Sequence, residues 1–185
     1  TSDLYRADSL TGTLTITKAP AVITMPGATF LYDGAAKALT ATVTPDVPGL
    51  SIAYLAPTRA PASQPTNAGT YHATASLDNP NYTATAVQAT LTIDRITPQL
   101  TWAPPAPIVA GTALGSAQLN AQASVPGSFA YNPAIGATLA VGVHTLTAFF
   151  NPADAINLSG GTIRVSWTAN TPPAPSLTLR QTKEN

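Results

Sequence analysis

Asn81-Tyr82-Thr83-Ala84-Thr85-Ala86-Val87-Gln88-Ala89-Thr90-Leu91-Thr92-Ile93 is the stretch whose reading decides the fold. Val87, Ala89, Leu91 and Ile93 alternate with Gln88, Thr90 and Thr92, the period of two expected of a strand that buries one face. The same pattern occurs twice more. Tyr5 precedes Leu10, Gly12, Leu14 and Ile16, and Leu158 precedes Ile163, Val165, Trp167 and Ala169. The anchors Tyr5, Tyr82 and Leu158 recur at a nearly constant interval. A fixed period of this size marks a tandem array of small domains.

Further echoes set the phase of the repeat. Each alternating strand runs into a proline-containing junction, and Pro20, Pro98 and Pro175 return at nearly the same interval. Within the repeats, Val47-Pro48-Gly49 and Ile52-Ala53-Tyr54 return as Val125-Pro126-Gly127 and Phe129-Ala130-Tyr131. Residues 1–18 therefore read as the terminal strand of a preceding unit or as an assembly strand. Residues 19–95 and 96–170 read as two whole units, and 171–185 as the first strand of a following unit or an assembly tail.

Composition narrows the class. Charged residues make up 9% of the chain, the formal net charge is zero and there is no cysteine. Disulfide staples are thus excluded, and no basic patch exists to neutralise phosphates, so nucleic acid is not an expected partner. From Ile96 to Ala153 there is no Asp, Glu, Lys or Arg. Yet prolines and polar residues interrupt that stretch too often for a bilayer span, so membrane insertion is not expected. The 18 prolines and 12 glycines fall at strand-and-turn intervals.

Strands are expected in the first unit at 22–24, 29–32, 39–44, 51–55, 71–77 and 83–93. The second unit should carry them at 100–102, 108–109, 119–124, 128–131, 144–150 and 162–168. Short alternating strands with turns about every 8–12 residues predict an all-β chain of two tandem Ig-like β-sandwich domains, with an extra strand at each end. Leu39, Val43, Leu77, Leu91 and Ile93 should form the first core. Phe129, Phe150, Ile163, Val165 and Trp167 should anchor the second.

The ordered set Tyr32-Asp33-Gly34, Pro65-Thr66-Asn67-Ala68-Gly69-Thr70-Tyr71, Asp78-Asn79-Pro80-Asn81-Tyr82 and Thr90-Leu91-Thr92-Ile93 resembles the bacterial MBG/YDG-type repeats. The second unit resembles a related Ig-like repeat, although it has Asn157-Leu158 for Asn-Tyr and lacks Tyr-Asp-Gly. The resemblance implies long secreted or surface-attached proteins whose repeats serve as stalks, fibres or adhesins. It carries no catalytic residues to transfer.

Candidate chemistry is sparse, and no catalytic, cofactor or metal site is expected. His72 and His144 fall on opposite faces of corresponding strands, with His144 replacing Tyr71, so they form no nucleophile–base–orienter set. Asp78, Asn79, Asn81 and Asp154 could offer oxygens to calcium, but the same residue types are what tight turns need. Asn81 and Asn157 head formal glycosylation sequons at equivalent repeat positions. Tyr32, Tyr54, Tyr71, Tyr82 and Tyr131 suit either a sugar platform or core packing, and their alternation points inward. Lys18, Lys37 and Lys183 are the candidates for a Lys–Asn isopeptide crosslink. The loop 56–67, with Pro57, Pro61 and Pro65, reads as a glycan grip or as a stiff crossover between sheets.

These readings predict a non-enzymatic extracellular or cell-surface segment that builds a rod, stalk or filament from head-to-tail β-domains. Its partners would be copies of itself or adjacent repeats. The alternative is an adhesin or carbohydrate-binding module that grips a glycan or host surface. Leu10, Leu14 and Ile16 at one end, and Leu177 and Leu179 at the other, are the expected assembly contacts, since an apolar strand with a free edge pairs readily with another chain.

Overall fold

The computed structural model describes residues 11–174. Among these residues there is no helix, and the chain divides into two compact units at Ile93 and Asp94. The all-β expectation holds.

The first unit contains β1 (Ala19–Pro20), β2 (Val22–Thr24), β3 (Ala28–Leu31), β4 (Thr42–Thr44), β5 (Leu50–Leu55), β6 (Pro61–Ala62), β7 (Gly69–Leu77), β8 (Tyr82–Thr83) and β9 (Val87–Asp94). Its main sheet has the order β3-β9-β7-β5-β6, while β2 pairs antiparallel with β4, placing Ile23 opposite Val43. Strand β9 lies inside the main sheet, so its period-2 alternation becomes a period-2 burial. Leu91 and Ile93 are 0% and 2% exposed, whereas Thr90 and Asp94 face outward. Both sheets feed one apolar cluster, in which Ile23 and Val43 meet Tyr54, Tyr71, Ala73, Ala75, Leu91 and Ile93.

The second unit repeats this plan with β10 (Leu100–Thr101), β11 (Ile108–Val109), β12 (Gln122–Ala123), β13 (Gly127–Asn132), β14 (Gly142–Pro152) and β15 (Gly161–Asn170). The pair β10-β12 corresponds to β2-β4, and the sheet β11-β15-β14-β13 corresponds to β3-β9-β7-β5. Trp102, Leu114, Leu119, Ala121, Leu146, Ala148, Val165, Trp167 and Ala169 form its core. Each tryptophan satisfies its indole N–H on a backbone carbonyl: Trp102 on Gln118 at 3.1 Å and Trp167 on Ala106 at 3.1 Å. Of the expected core residues, Leu77, Phe129 and Ile163 pack against the two clusters without being fully buried.

Three details depart from the sequence reading. The strand expected over 83–93 is split into β8 and β9. Expected strands 39–44 and 119–124 shrink to three and two residues, because Leu39 gives its N–H to the Tyr54 hydroxyl (2.8 Å) and Leu119 gives its own to the Gly115 carbonyl (2.9 Å). The Tyr54/Tyr131 echo is also not a ladder equivalence. Tyr71 faces Leu91 and His144 faces Trp167, which aligns β7 with β14, yet Tyr54 pairs with Ala73 and Tyr131 with Ala148. On that alignment Tyr131 takes the place of Ile52. The slip is even, which keeps the same face inward where a slip of one would reverse it.

Leu91 is the test of this core. Replacing Leu91 by Ala should cost about 2–5 kcal/mol in chemical denaturation. A loss below about 0.5 kcal/mol, the size of an ordinary surface change, would place β9 outside the core.

Candidate functional site

In each unit a cation and the hydrogen-bonding residues of one turn meet in one place, the turn after the long strand β7 or β14 and the segment that lies beside it. In the first unit the turn is Asp78-Asn79-Pro80-Asn81-Tyr82. Asn79 is 6% exposed, and its Oδ1 accepts the N–H groups of Asn81 (2.8 Å) and Tyr82 (3.0 Å). Its Nδ2 donates to the Pro48 carbonyl at 2.9 Å. One buried side chain thus satisfies three backbone groups, as buried polar atoms require.

The turn then receives the start of the unit. β1 lies parallel to β8, with Ala19 opposite Tyr82, and the Ala19 and Ala21 N–H groups donate to the Asn81 and Thr83 carbonyls at 2.8 Å each. Lys18 Nζ donates to the Asn79 carbonyl at 2.8 Å. The second unit does the same with other residues. Asp154 Oδ1 accepts from Ile156 (3.2 Å) and Asn157 (3.1 Å), and Ile96 bridges Leu158 in parallel. Arg95 Nε donates to the Ile156 carbonyl at 2.9 Å. Lys18 and Arg95 are repeat equivalents, since each reaches a carbonyl 61 residues further along the chain. This clasp ties the first residues of each unit to its last turn.

The sequence points to the turn residues but not to the clasp. Lys18 stands out there only as a crosslink candidate, although the recurrence of a cation one repeat later, at Arg95, is a usable signal. The clasp also bears on the calcium and glycosylation readings. The oxygens of Asn79 and Asp154 that a calcium ion would use already accept backbone N–H groups. Asn157 is 5% exposed and its Nδ2 donates to Asp154 Oδ2 at 2.8 Å, so the nitrogen to which a glycan would attach is buried and engaged. Asn81 is exposed at the turn.

The other candidates fall into place separately. Tyr54 and Tyr71 are buried and use their hydroxyls inside the unit, Tyr54 accepting from Leu39 and Tyr71 donating to the Asn67 carbonyl at 2.9 Å. Tyr131 packs edge-on against Trp102 with ring centres 5.5 Å apart, and burial raises its hydroxyl pKa. Tyr54 and Tyr71 therefore make no exposed platform, while Tyr131 is half-buried. The loop 56–67 folds back as β6, with Tyr54 opposite Ala62, and reaches a fully buried Pro65 whose carbonyl accepts from Lys37. That is a crossover that extends the sheet. Lys37 Nζ pairs with Asp33 Oδ2 at 2.5 Å, within the Tyr-Asp-Gly turn where Gly34 adopts φ +80°, so its amine meets a carboxylate rather than the amide a crosslink needs. His72 is exposed in β7, and His144 Nε2 lies 2.8 Å from the Ala140 carbonyl.

Leu14 and Ile16 are 85% and 86% exposed, and residues 11–18 carry no strand pairing. Leu10, Leu177, Leu179 and Lys183 lie outside the described residues. Among the described residues no helix is long and apolar enough to cross a membrane.

Residues 21–97 match the family model described as MBG domain. The MBG-type resemblance is therefore borne out over the first unit, and the second unit repeats its ladder plan and its clasp. No curated protein matches the chain.

Two outcomes test the clasp. Asn79→Ala leaves three backbone groups unanswered in a buried turn and should cost about 1–3 kcal/mol in urea unfolding. The Asp154 carboxyl is held below the usual carboxylate range by the Asn157 side chain, then by the Asn157 and Ile156 backbone N–H groups. A depressed carboxylate stabilises fully above its unfolded pKa and loses that effect as pH falls through the folded value. The melting temperature of the second unit should therefore be flat down to about pH 4 and fall below it. Asp154→Asn should remove part of that fall, while Asp33, held low by Lys37 and the Ala35 N–H, keeps its own acid response in the first unit.

Proposed function

We propose that this chain is a structural segment of an extracellular or cell-surface protein, two tandem Ig-like β-sandwich domains that pack head to tail in a rod, stalk or filament. The clasp carries this reading. In sequence, β9 ends at Asp94 and Ile96 already bridges the second unit's own turn, so a single residue separates the two. A junction that short and tied down by Arg95 leaves little slack, and stiff junctions between repeats make an extended array. The MBG match supports the surface setting, since repeats of that type are read as parts of large surface proteins. The partners are copies of itself or adjacent repeats of the same polypeptide, and the role is non-enzymatic.

X-ray scattering tests the rod. A compact sphere of this chain length has a radius of gyration of about 16 Å. Two units held apart end to end should give about 20 Å or more by the same scaling applied to each unit. A value near that of the sphere would show the units folded onto each other and would overturn the extended reading.

A further inference from the structure

Free strand edges are where β-proteins meet other chains, and they are normally blunted by proline, charge or shortness. The edges of the first unit's main sheet follow that rule. β6 has two residues and carries Pro61, and β3 has Lys37 Nζ 5.8 Å from the centre of the Phe30 ring. In the second unit, β11 has two residues. Strand β13 breaks the rule. It closes its sheet with six residues, Gly-Ser-Phe-Ala-Tyr-Asn, that include neither proline nor charge.

Beside β13 lies an apolar cavity of about 480 Å³, walled by Leu119, Phe129, Tyr131, Ala134 and Ile135 among others. Phe129 and Tyr131 are only half-buried, and Ile135 is 70% exposed. An added strand whose apolar residues alternate would cover these rings in one parity and meet the outward residues Ser128, Ala130 and Asn132 in the other.

The chain carries such a strand. Gly12-Thr13-Leu14-Thr15-Ile16-Thr17 bears no charge, and Thr13-Leu14-Thr15-Ile16 is identical to Thr90-Leu91-Thr92-Ile93 of β9. In β9 the leucine and isoleucine are 0% and 2% exposed, while Leu14 and Ile16 are 85% and 86% exposed. A sequence that makes an inner strand at one place stands, among the described residues, without a strand partner at the other.

We propose that residues 12–17 of one copy add as a strand to the β13 edge of a second copy, seating Leu14 and Ile16 over Phe129 and Tyr131 in the apolar cavity. This rests on the head-to-tail reading and assigns its contact: donor segment 12–17, acceptor edge β13. The contact is heterologous, so it propagates into a filament.

Sedimentation of the full chain over a range of concentrations tests this, with two variants at exposed positions. Leu14→Asp/Ile16→Asp removes the donor, and Ile135→Asp places a charge in the acceptor; unchanged circular dichroism confirms that each is folded. The wild type should form concentration-dependent oligomers. The donor variant alone should associate about 100-fold more weakly or worse, given what two buried aliphatic side chains contribute, and the acceptor variant, which loses one, about 10-fold more weakly or worse. Mixed together, the two variants should form a one-to-one pair and nothing larger, because one working donor meets one working acceptor. A wild type that stays monomeric at millimolar concentration would overturn both this contact and the filament. If the wild type assembles and the donor variant assembles equally well, or the mixture stays monomeric, this contact falls and the head-to-tail reading survives.

Discussion

The Asn79 side chain, sealed from water, must answer every hydrogen-bonding group it meets. It does so by holding the N–H groups of Asn81 and Tyr82 and the carbonyl of Pro48. Once that turn is fixed, β8 has a defined position, β1 can lie parallel to it, and the Asn79 carbonyl is aimed at Lys18. The beginning and the end of the unit are thereby joined by hydrogen bonds rather than by apolar contact. That suits a domain of this size, whose small core supplies modest stability on its own. Asp154 caps the corresponding turn of the second unit with a charged acceptor, whose carboxyl the Asn157 side chain holds below the usual carboxylate range.

The two units share this plan but finish their main sheets differently. In the first, the loop after β5 turns back as β6 and reaches buried Pro65, closing part of the sheet edge. In the second, the corresponding edge is β13, and the charge-free stretch from Ile96 to Ala153 leaves it without the lysines that usually discourage pairing. Low charge thus leaves one edge strand of six residues with neither proline nor charge.

The aromatic residues show how burial decides between function and structure. Tyr54 and Tyr71 have the composition of a sugar platform, yet each rests its ring in the core and gives its hydroxyl an internal partner. In the second unit, Phe129, Tyr131 and Phe150 pack ring against ring, at 6.0 Å between Phe129 and Tyr131 and 5.0 Å between Phe129 and Phe150. Phe129 and Tyr131 remain half open to the cavity at the sheet edge, so their rings are shared between the core and an aromatic surface.

Much of this was legible in the sequence because side chains on a strand alternate whatever the strand pairs with. Leu91, Ile93, Val165 and Trp167 could be assigned to buried faces from local pattern alone, and the near-constant repeat located both units. Pairing partners were another matter. The echo of Tyr54 in Tyr131 suggested one register and the ladders took another, since parity is a local property and register depends on strands and turns distant in sequence. The same holds for Lys18 and Arg95, ordinary cations in the sequence that become clasps only when a turn 61 residues away presents its carbonyl. The chain by itself determined which residues face inward and where its turns fall; the tertiary structure decided which distant groups each one meets, because partners far along the chain are set by geometry that no local pattern encodes.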